Sequence, residues 1–371
     1  MRNTVYLLAL ATLLTALPAK ADFNAGRKAY LARDYATAAR EFGKAAQAGE
    51  ARAQNDLGVL YERGWGVKQD PAQAVSWYRK AAEQGYLQAQ TNLGYMYESG
   101  QGVPVDFAQA LTLYQAAADR NWAQAQNNLG GLYEKGLGVQ RDYSRALGWY
   151  RKAADQGLAQ AQTNVGYLYE TGRGVERDLG EAMKWYRKAE AQNYAQAQNN
   201  IGALYARGAG VAQDLNVAIE WYRKAVAQNL AQAQTNLGFL YALGRGVERD
   251  DVQALKLYRA AAEQGFAQGQ NNLGFMLAAG RGAKQNYAEA KLWYEKAVAQ
   301  GHAQAMHNLA VLYEFGRGVS QDNVLALGWY KRAAEAGYRP AASRLGKVYT
   351  NGELGENIDQ GRARLWVERA Q

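Results

Sequence analysis

The chain contains no cysteine. That excludes disulfides, thiolate metal sites, cysteine nucleophiles and a lipid-modified cysteine. Histidine is nearly absent as well, with only His302 and His307. They lie five residues apart, whereas a helical metal pair needs a spacing of three or four. No Ser-His-Asp set can be assembled, and no carboxylate pair departs from the internal pattern of the chain. The expectation is a protein that is not an enzyme and has no cofactor or metal. Beyond residue 21 there is also no apolar run of the about 20 residues that a membrane span requires.

What is present begins with an N-terminal address. Arg2 is followed by a mostly apolar stretch from Val5 to Leu17, then by Ala19-Lys20-Ala21. This is the pattern of a secretory signal over residues 1–21, cleaved before Asp22. No transmembrane segment is expected after cleavage, and the mature protein is expected to be periplasmic or secreted. Residues 1–21 hold Arg2 and Lys20 and no acid, so the formal charge of +9 becomes +7 in the mature chain. A basic protein suits nucleic acid, but export argues against that partner and leaves anionic envelope polymers or acidic proteins.

The dominant feature is periodic. A Leu-Gly pair or its equivalent recurs every 36 residues, at Leu57-Gly58, Leu93-Gly94, Leu129-Gly130, Val165-Gly166, Ile201-Gly202, Leu237-Gly238, Leu273-Gly274, Leu309-Ala310 and Leu345-Gly346. A Trp-Tyr pair returns in phase at Trp77-Tyr78, Trp149-Tyr150, Trp185-Tyr186, Trp221-Tyr222, Trp293-Tyr294 and Trp329-Tyr330. A fixed period of this length specifies stacked units, not one compact core. Most of the 40 glycines sit at repeat positions and are structural.

One unit, residues 51–86, shows the logic. Ala53, Leu57, Leu60 and Tyr61 make an apolar stripe at helical spacing. Gly58 falls inside that helix at a cost of about 0.5–1 kcal/mol, which implies close approach of a second helix. Gly64 is placed as a left-handed cap, and Asp70-Pro71 as the start of the second helix. Ala74, Trp77, Tyr78 and Ala81 form its inward stripe, while Arg79 and Lys80 point away. The Gly-x-Gly between the helices is not a phosphate loop, because a helix and not a strand precedes it. The recurring Trp-Tyr pair is expected to be core.

The signature Ala-Gln-x-Asn-Leu-Gly-x-Leu-Tyr, then Gly-x-Gly-Val-x-x-Asp, then Ala-x-x-Trp-Tyr-Arg-Lys-Ala-Ala resembles the Sel1-like repeats, relatives of the tetratricopeptide repeats. The stretch Ala123 to Leu158 shows nearly all of it. The resemblance covers residues 51–371, about nine units. It implies an all-α, right-handed solenoid of helix-turn-helix repeats and a protein-interaction scaffold used in envelope assembly, signalling or host contact. Residues 22–50 resemble a half-matched capping pair, with Ala38, Phe42 and Ala45 keeping the stripe. The last unit departs from the pattern, with Arg344 where Asn is usual and one extra residue in its loop. It ends without a further capping helix, on an edge made polar by Arg362, Arg364 and Arg369. Some relatives are cysteine-rich and linked to penicillin binding or hydrolysis; the missing cysteines leave that hydrolase reading unsupported here.

In tetratricopeptide arrays the first helices line a concave groove. By that resemblance the sixth position of each unit faces a protein or peptide partner: Asn92, Asn128, Asn164, Asn200, Asn236, Asn272 and Asn308, with Asp56 in the first unit. An amide both donates and accepts, which suits a peptide backbone; the alternative is that these amides bond the neighbouring unit. The units also alternate in kind. Position five reads Asn55, Thr91, Asn127, Thr163, Asn199, Thr235, Asn271, and position nine reads Val59, Tyr95, Gly131, Tyr167, Ala203, Phe239. The alternation lapses at Phe275. The aromatics Tyr95, Tyr167, Phe239 and Phe275 would serve a protein partner or, alternatively, a glycan or peptidoglycan strand; duplication of a two-unit block explains the alternation equally. Pairs such as Arg151-Lys152 and Arg187-Lys188 make a basic outer ridge, a solvated face or a possible contact for an anionic envelope polymer.

Overall fold

In a computed structural model, which describes residues 23–370, twenty α-helices follow one another and no strand occurs among the described residues. The expected signal, residues 1–21, lies outside the described residues. The first helices are α1 (Phe23–Leu31), α2 (Tyr35–Gln47), α3 (Ala51–Arg63) and α4 (Pro71–Glu83), and the same hairpin is repeated to the final helix, Gln360–Ala370. The helices group into two compact units that divide between Arg177 and Asp178.

The repeat's boundaries follow from its cap residues. Helix α3 stops at Gly64, whose φ of +70° is left-handed and whose N–H bonds the Leu60 carbonyl. The Asp70 carboxylate accepts from the Gln73 N–H at 3.0 Å, and Pro71 opens α4 where its missing N–H costs nothing. The Asp70 N–H returns to the Tyr61 carbonyl at 2.9 Å and closes the loop. Asp106, Asp142, Asp214, Asp250, Asn286 and Asp322 cap their helices in the same way. In the last unit Asp359 still caps after the longer loop, accepting from the Arg362 N–H at 2.9 Å.

The glycine inside α3 is required by a side chain, not by a helix backbone. A Cβ on Gly58 would lie 2.6 Å from Cε1 of Tyr78. The relation repeats for Gly94 with Tyr114, Gly130 with Tyr150 and Gly274 with Tyr294. In α1 the same role falls to Gly26 against Phe42. The second glycine of Gly-x-Gly has a different duty. A Cβ on Gly66 would run into the backbone of Tyr35 and Ala36, so the loop of each unit rests on the preceding unit's second helix.

The Trp-Tyr pair divides in four of its six copies, which corrects there the expectation that both rings are core; Trp185 and Trp221 are buried as expected. Tyr78, Tyr114, Tyr150, Tyr258 and Tyr330 are buried. Trp77, Trp149, Trp293 and Trp329 are only half-buried. Each is covered by the cation three residues on: Lys80 lies 4.1 Å from the Trp77 ring centre, Lys152 4.0 Å from Trp149 and Lys296 3.9 Å from Trp293, and the Arg332 guanidinium carbon 4.8 Å from Trp329. The interior is a succession of small clusters. Those of the first unit gather around Phe42 and Leu57, Tyr78 and Met96, and Tyr114 and Leu132. Those of the second gather around Tyr222 and Leu240, Tyr258 and Leu277, and Tyr330 and Trp366.

Candidate binding face

The first helix of each repeat packs its Ala, Leu and Gly stripe inward and leaves position nine outside. Tyr95 is 46% exposed, Tyr167 37%, Phe239 45% and Phe275 48%. Four large aromatic side chains at equivalent positions are therefore open to solvent. Hollows lie beside them. One of about 510 Å³ is lined by Glu62, Tyr78, Asn92, Tyr95 and Gln101, among others. Another of about 330 Å³ is bordered by Ala206, Tyr222, Asn236, Phe239 and Arg245.

The position-six amides are largely spent within the protein. Asn92, Asn164, Asn236 and Asn308 donate to the side-chain oxygens of Asn55, Asn127, Asn199 and Asn271, at 3.0, 2.9, 2.9 and 2.9 Å. Each is a bond from one repeat to the one before it. In the intervening repeats the amide accepts instead: Asn128 from Gln124 at 2.9 Å, Asn200 from Gln196 at 3.0 Å and Asn272 from Gln268 at 2.8 Å. Asp56 stands at this position in the first repeat, and burial pushes its carboxyl above the usual range.

Position five explains the alternation. An Asn there has an oxygen to offer the next repeat. A Thr does not take part, because Thr91, Thr163 and Thr235 donate their hydroxyls to the carbonyls of Leu87, Ala159 and Ala231 at 2.9, 2.9 and 3.0 Å. The two-repeat period is thus the period of an interior hydrogen-bond ladder. The structure favours the structural reading of the Asn row and leaves the aromatics as the available part of the face.

The basic ridge is also engaged. Besides the lysines over tryptophan, Arg79 and Arg223 donate to the hydroxyls of Tyr97 and Tyr241 at 3.1 and 3.2 Å, and Arg151 donates to Tyr169. These three bonds each tie a second helix to the repeat after it.

A helix pair closed by Gly-x-Gly, an Asp cap and a Gly-Tyr lock, repeated at 36 residues, is matched by the model of the Sel1 repeat family over residues 51–86, 87–122, 123–158, 159–194, 195–230, 231–266, 267–302, 303–338 and 339–370. The chain belongs to the Sel1 repeat family. Among solved structures it is similar to c5321, described as a protective antigen present in uropathogenic Escherichia coli strains, at 34% identity over 90% of this chain and 79% of that one, with a TM-score of 0.54. It is also similar to a Sel1 repeat protein from Oxalobacter formigenes, at 33% identity over 66% of this chain and 96% of that one, with a TM-score of 0.59. Among curated proteins none matches.

Two sets of Sel1 residues were not singled out by sequence reasoning. The first is the buried Gln of the Ala-Gln signature. Gln126 donates to the Ala118 carbonyl at 3.2 Å and accepts from Gln156 at 2.8 Å, and Gln54, Gln198, Gln234 and Gln270 accept in the same way from Gln84, Gln228, Gln264 and Gln300. The second is a carboxylate at position twelve. Glu62, Glu98, Glu134 and Glu314 accept from the buried hydroxyls of Tyr78, Tyr114, Tyr150 and Tyr330 at 2.6, 2.9, 2.7 and 2.5 Å. Burial, reinforced by the facing carboxylate, pushes these four phenols well above the ordinary tyrosine range. The signal for both was the 36-residue recurrence itself, read at positions that carry polar side chains.

Proposed function

We propose that this protein is an exported, non-enzymatic scaffold that binds a protein partner on its first-helix face, in envelope assembly, signalling or host contact. The observation that carries the reading is the set of exposed position-nine aromatics, Tyr95 and Tyr167 in the first unit and Phe239 and Phe275 in the second. A large apolar ring left in water at the same place in several repeats contributes nothing to folding and marks a contact surface. The Sel1 family supports an interaction role, and the likeness to a protective antigen fits a protein that leaves the cytoplasm. Export itself rests on the signal pattern of residues 1–21, with a mature start at Asp22.

A glycan or peptidoglycan partner would use the same rings, but most glycan sites add free amides, and Asn92, Asn164, Asn236 and Asn308 are committed to the ladder here. An anionic polymer on the outer ridge is the weaker reading for a similar reason, since the ridge cations cover tryptophan rings and bond tyrosines. The test is photo-crosslinking in the native envelope, with a probe at Tyr95, Tyr167 or Phe239 and a control probe at Lys152 on the ridge. A discrete protein caught from the aromatic probes alone is the expected result. Capture only from Lys152, or diffuse polysaccharide from every probe, would sink the reading.

A further inference from the structure

The hollows of the first-helix face stand beside equivalent tyrosines and differ in charge. In the first unit Glu62 stands in the hollow and takes the hydrogen bond of Tyr78. In three successive repeats of the second unit the equivalent residues are Ala206, Ala242 and Ala278. Tyr222, Tyr258 and Tyr294 keep their places, 4%, 3% and 2% exposed. None of the three has the position-twelve carboxylate of the first unit, and the Tyr258 hydroxyl meets the Asn272 amide instead. Each faces a hollow, of about 330, 170 and 170 Å³, that also presents one Arg from the next loop: Arg245, Arg281 and Arg317. Phe239 and Phe275 form the walls between them. The three rings line these hollows at the places where the first unit keeps a carboxylate.

The surrounding charge points the same way. The helices Ala195–Arg207, Ala231–Leu243 and Ala267–Ala279 contain no acidic residue, whereas each of the first helices Ala51–Arg63, Leu87–Ser99 and Ala123–Lys135 contains at least one. Arg281 is held by Asp251 and the Ala242 carbonyl, while Arg245 and Arg317 are exposed at the rim. The protein also shows how a carboxylate is held in such a place. Glu314 accepts from Tyr330 at 2.5 Å and from Nε of Arg344 at 3.3 Å, inside the same chain.

From this we infer that the second unit binds an extended acidic peptide segment whose carboxylates enter successive hollows and take the position that Glu62, Glu98 and Glu134 occupy in the first unit. The inference rests on the scaffold reading and specifies its partner. Neighbouring helices lie about 8–10 Å apart. A polyproline II strand advances about 9 Å in three residues and returns its side chains to one face. The segment therefore carries an Asp or Glu at every third residue, with apolar residues between them against Phe239 and Phe275.

The test uses the full mature chain and a fluorescein-labelled peptide of three Glu-Pro-Pro units, followed by fluorescence anisotropy. Saturable binding that weakens with salt is expected. A Gln-Pro-Pro counterpart should bind at least about ten-fold more weakly, since it loses charge-assisted hydrogen bonds. The variant A206E/A242E/A278E supplies the missing carboxylates from within and should abolish binding while keeping the helical circular dichroism. Arg245→Gln with Arg317→Gln touches only exposed groups and should weaken binding at least about five-fold at low salt. Failure of the Glu peptide to bind, equal binding of the Gln peptide, or full affinity in the triple variant would each overturn the inference. Crosslinking separates this from the broader reading. A partner protein still captured by the triple variant overturns the acidic inference alone, and no captured protein from any aromatic probe overturns both.

Discussion

Asn92 donates its side-chain amide to the side-chain oxygen of Asn55, 3.0 Å away and in the preceding repeat. Asn55 in turn donates to Asp56 at 3.0 Å, so one buried side chain serves two neighbours. The same geometry joins Asn127, Asn128 and Asn164. Substitution Asn127→Ala removes an acceptor and a donor from the interior and should destabilise by about 1–3 kcal/mol. Thr163→Ala removes only a bond to its own helix and should cost less than about 1 kcal/mol. Urea unfolding of the two variants checks the difference. Equal losses would mean that the ladder does not carry the repeat-to-repeat bond.

The Gly-Tyr lock makes a prediction against helix propensity. Ala is favoured over Gly in a helix by about 1 kcal/mol. At Gly130 a Cβ would lie 2.7 Å from Cδ1 of Tyr150, a buried ring with no room to move. Gly130→Ala should therefore destabilise by about 1–3 kcal/mol through overpacking. Adding Tyr150→Leu should cost less in the Gly130→Ala background than in the wild type, giving a positive coupling in a double-mutant cycle. An additive pair would show that the glycine is kept for another reason.

How far this could be read from sequence depended on whether the partner was local. Helix ends were legible because a cap and its target, such as Asp70 and Gln73, lie three residues apart. The repeat length was legible because it recurs. The partner of Gly58 was not, since sequence says only that something comes close, and it is Tyr78 that does. Trp77 and Tyr78 look alike as apolar neighbours, yet they differ by a rotation of one residue on the helix, which leaves Trp77 at the edge under Lys80. The exposed aromatics were found from their alternation, while the Asn row could not be assigned, because an amide 37 positions away in the chain consumes it.

Paired and unpaired tyrosines should respond differently to loss of the hydroxyl. Tyr150 donates to Glu134 at 2.7 Å, and Tyr150→Phe strands a half-buried carboxylate. The expected cost is about 1–3 kcal/mol. Tyr294 has Ala278 in place of the carboxylate, so Tyr294→Phe should be neutral within about 0.5 kcal/mol or slightly stabilising. Thermal unfolding of the two single variants is the measurement. A large loss at Tyr294 would reveal an acceptor and remove the case for an open carboxylate site there.

The same tyrosines set an alkaline limit. Burial pushes Tyr222 and Tyr258 up to about 12, opposed in part by the positive charges of Arg207 and Arg281. Their unfolded value is about 10. The folded value is the higher one, so the stabilisation is fully present below pH about 10, where both states hold the proton. Between about 10 and 12 the unfolded chain ionises first and stability falls. Above about 12 the contribution is gone. Each shift corresponds to roughly 2–3 kcal/mol at most. Circular dichroism and tyrosinate absorbance, followed together from pH 9 upward, should show helix loss coinciding with the appearance of buried tyrosinate. Tyr222→Phe with Tyr258→Phe removes two ionisable groups and should move the alkaline midpoint upward, while at neutral pH loss of the Tyr258 hydroxyl that meets the Asn272 amide should cost about 0.5–1.5 kcal/mol. A midpoint that stays in place would mean that these rings ionise without unfolding, and that their hollows admit hydroxide as freely as they would a carboxylate.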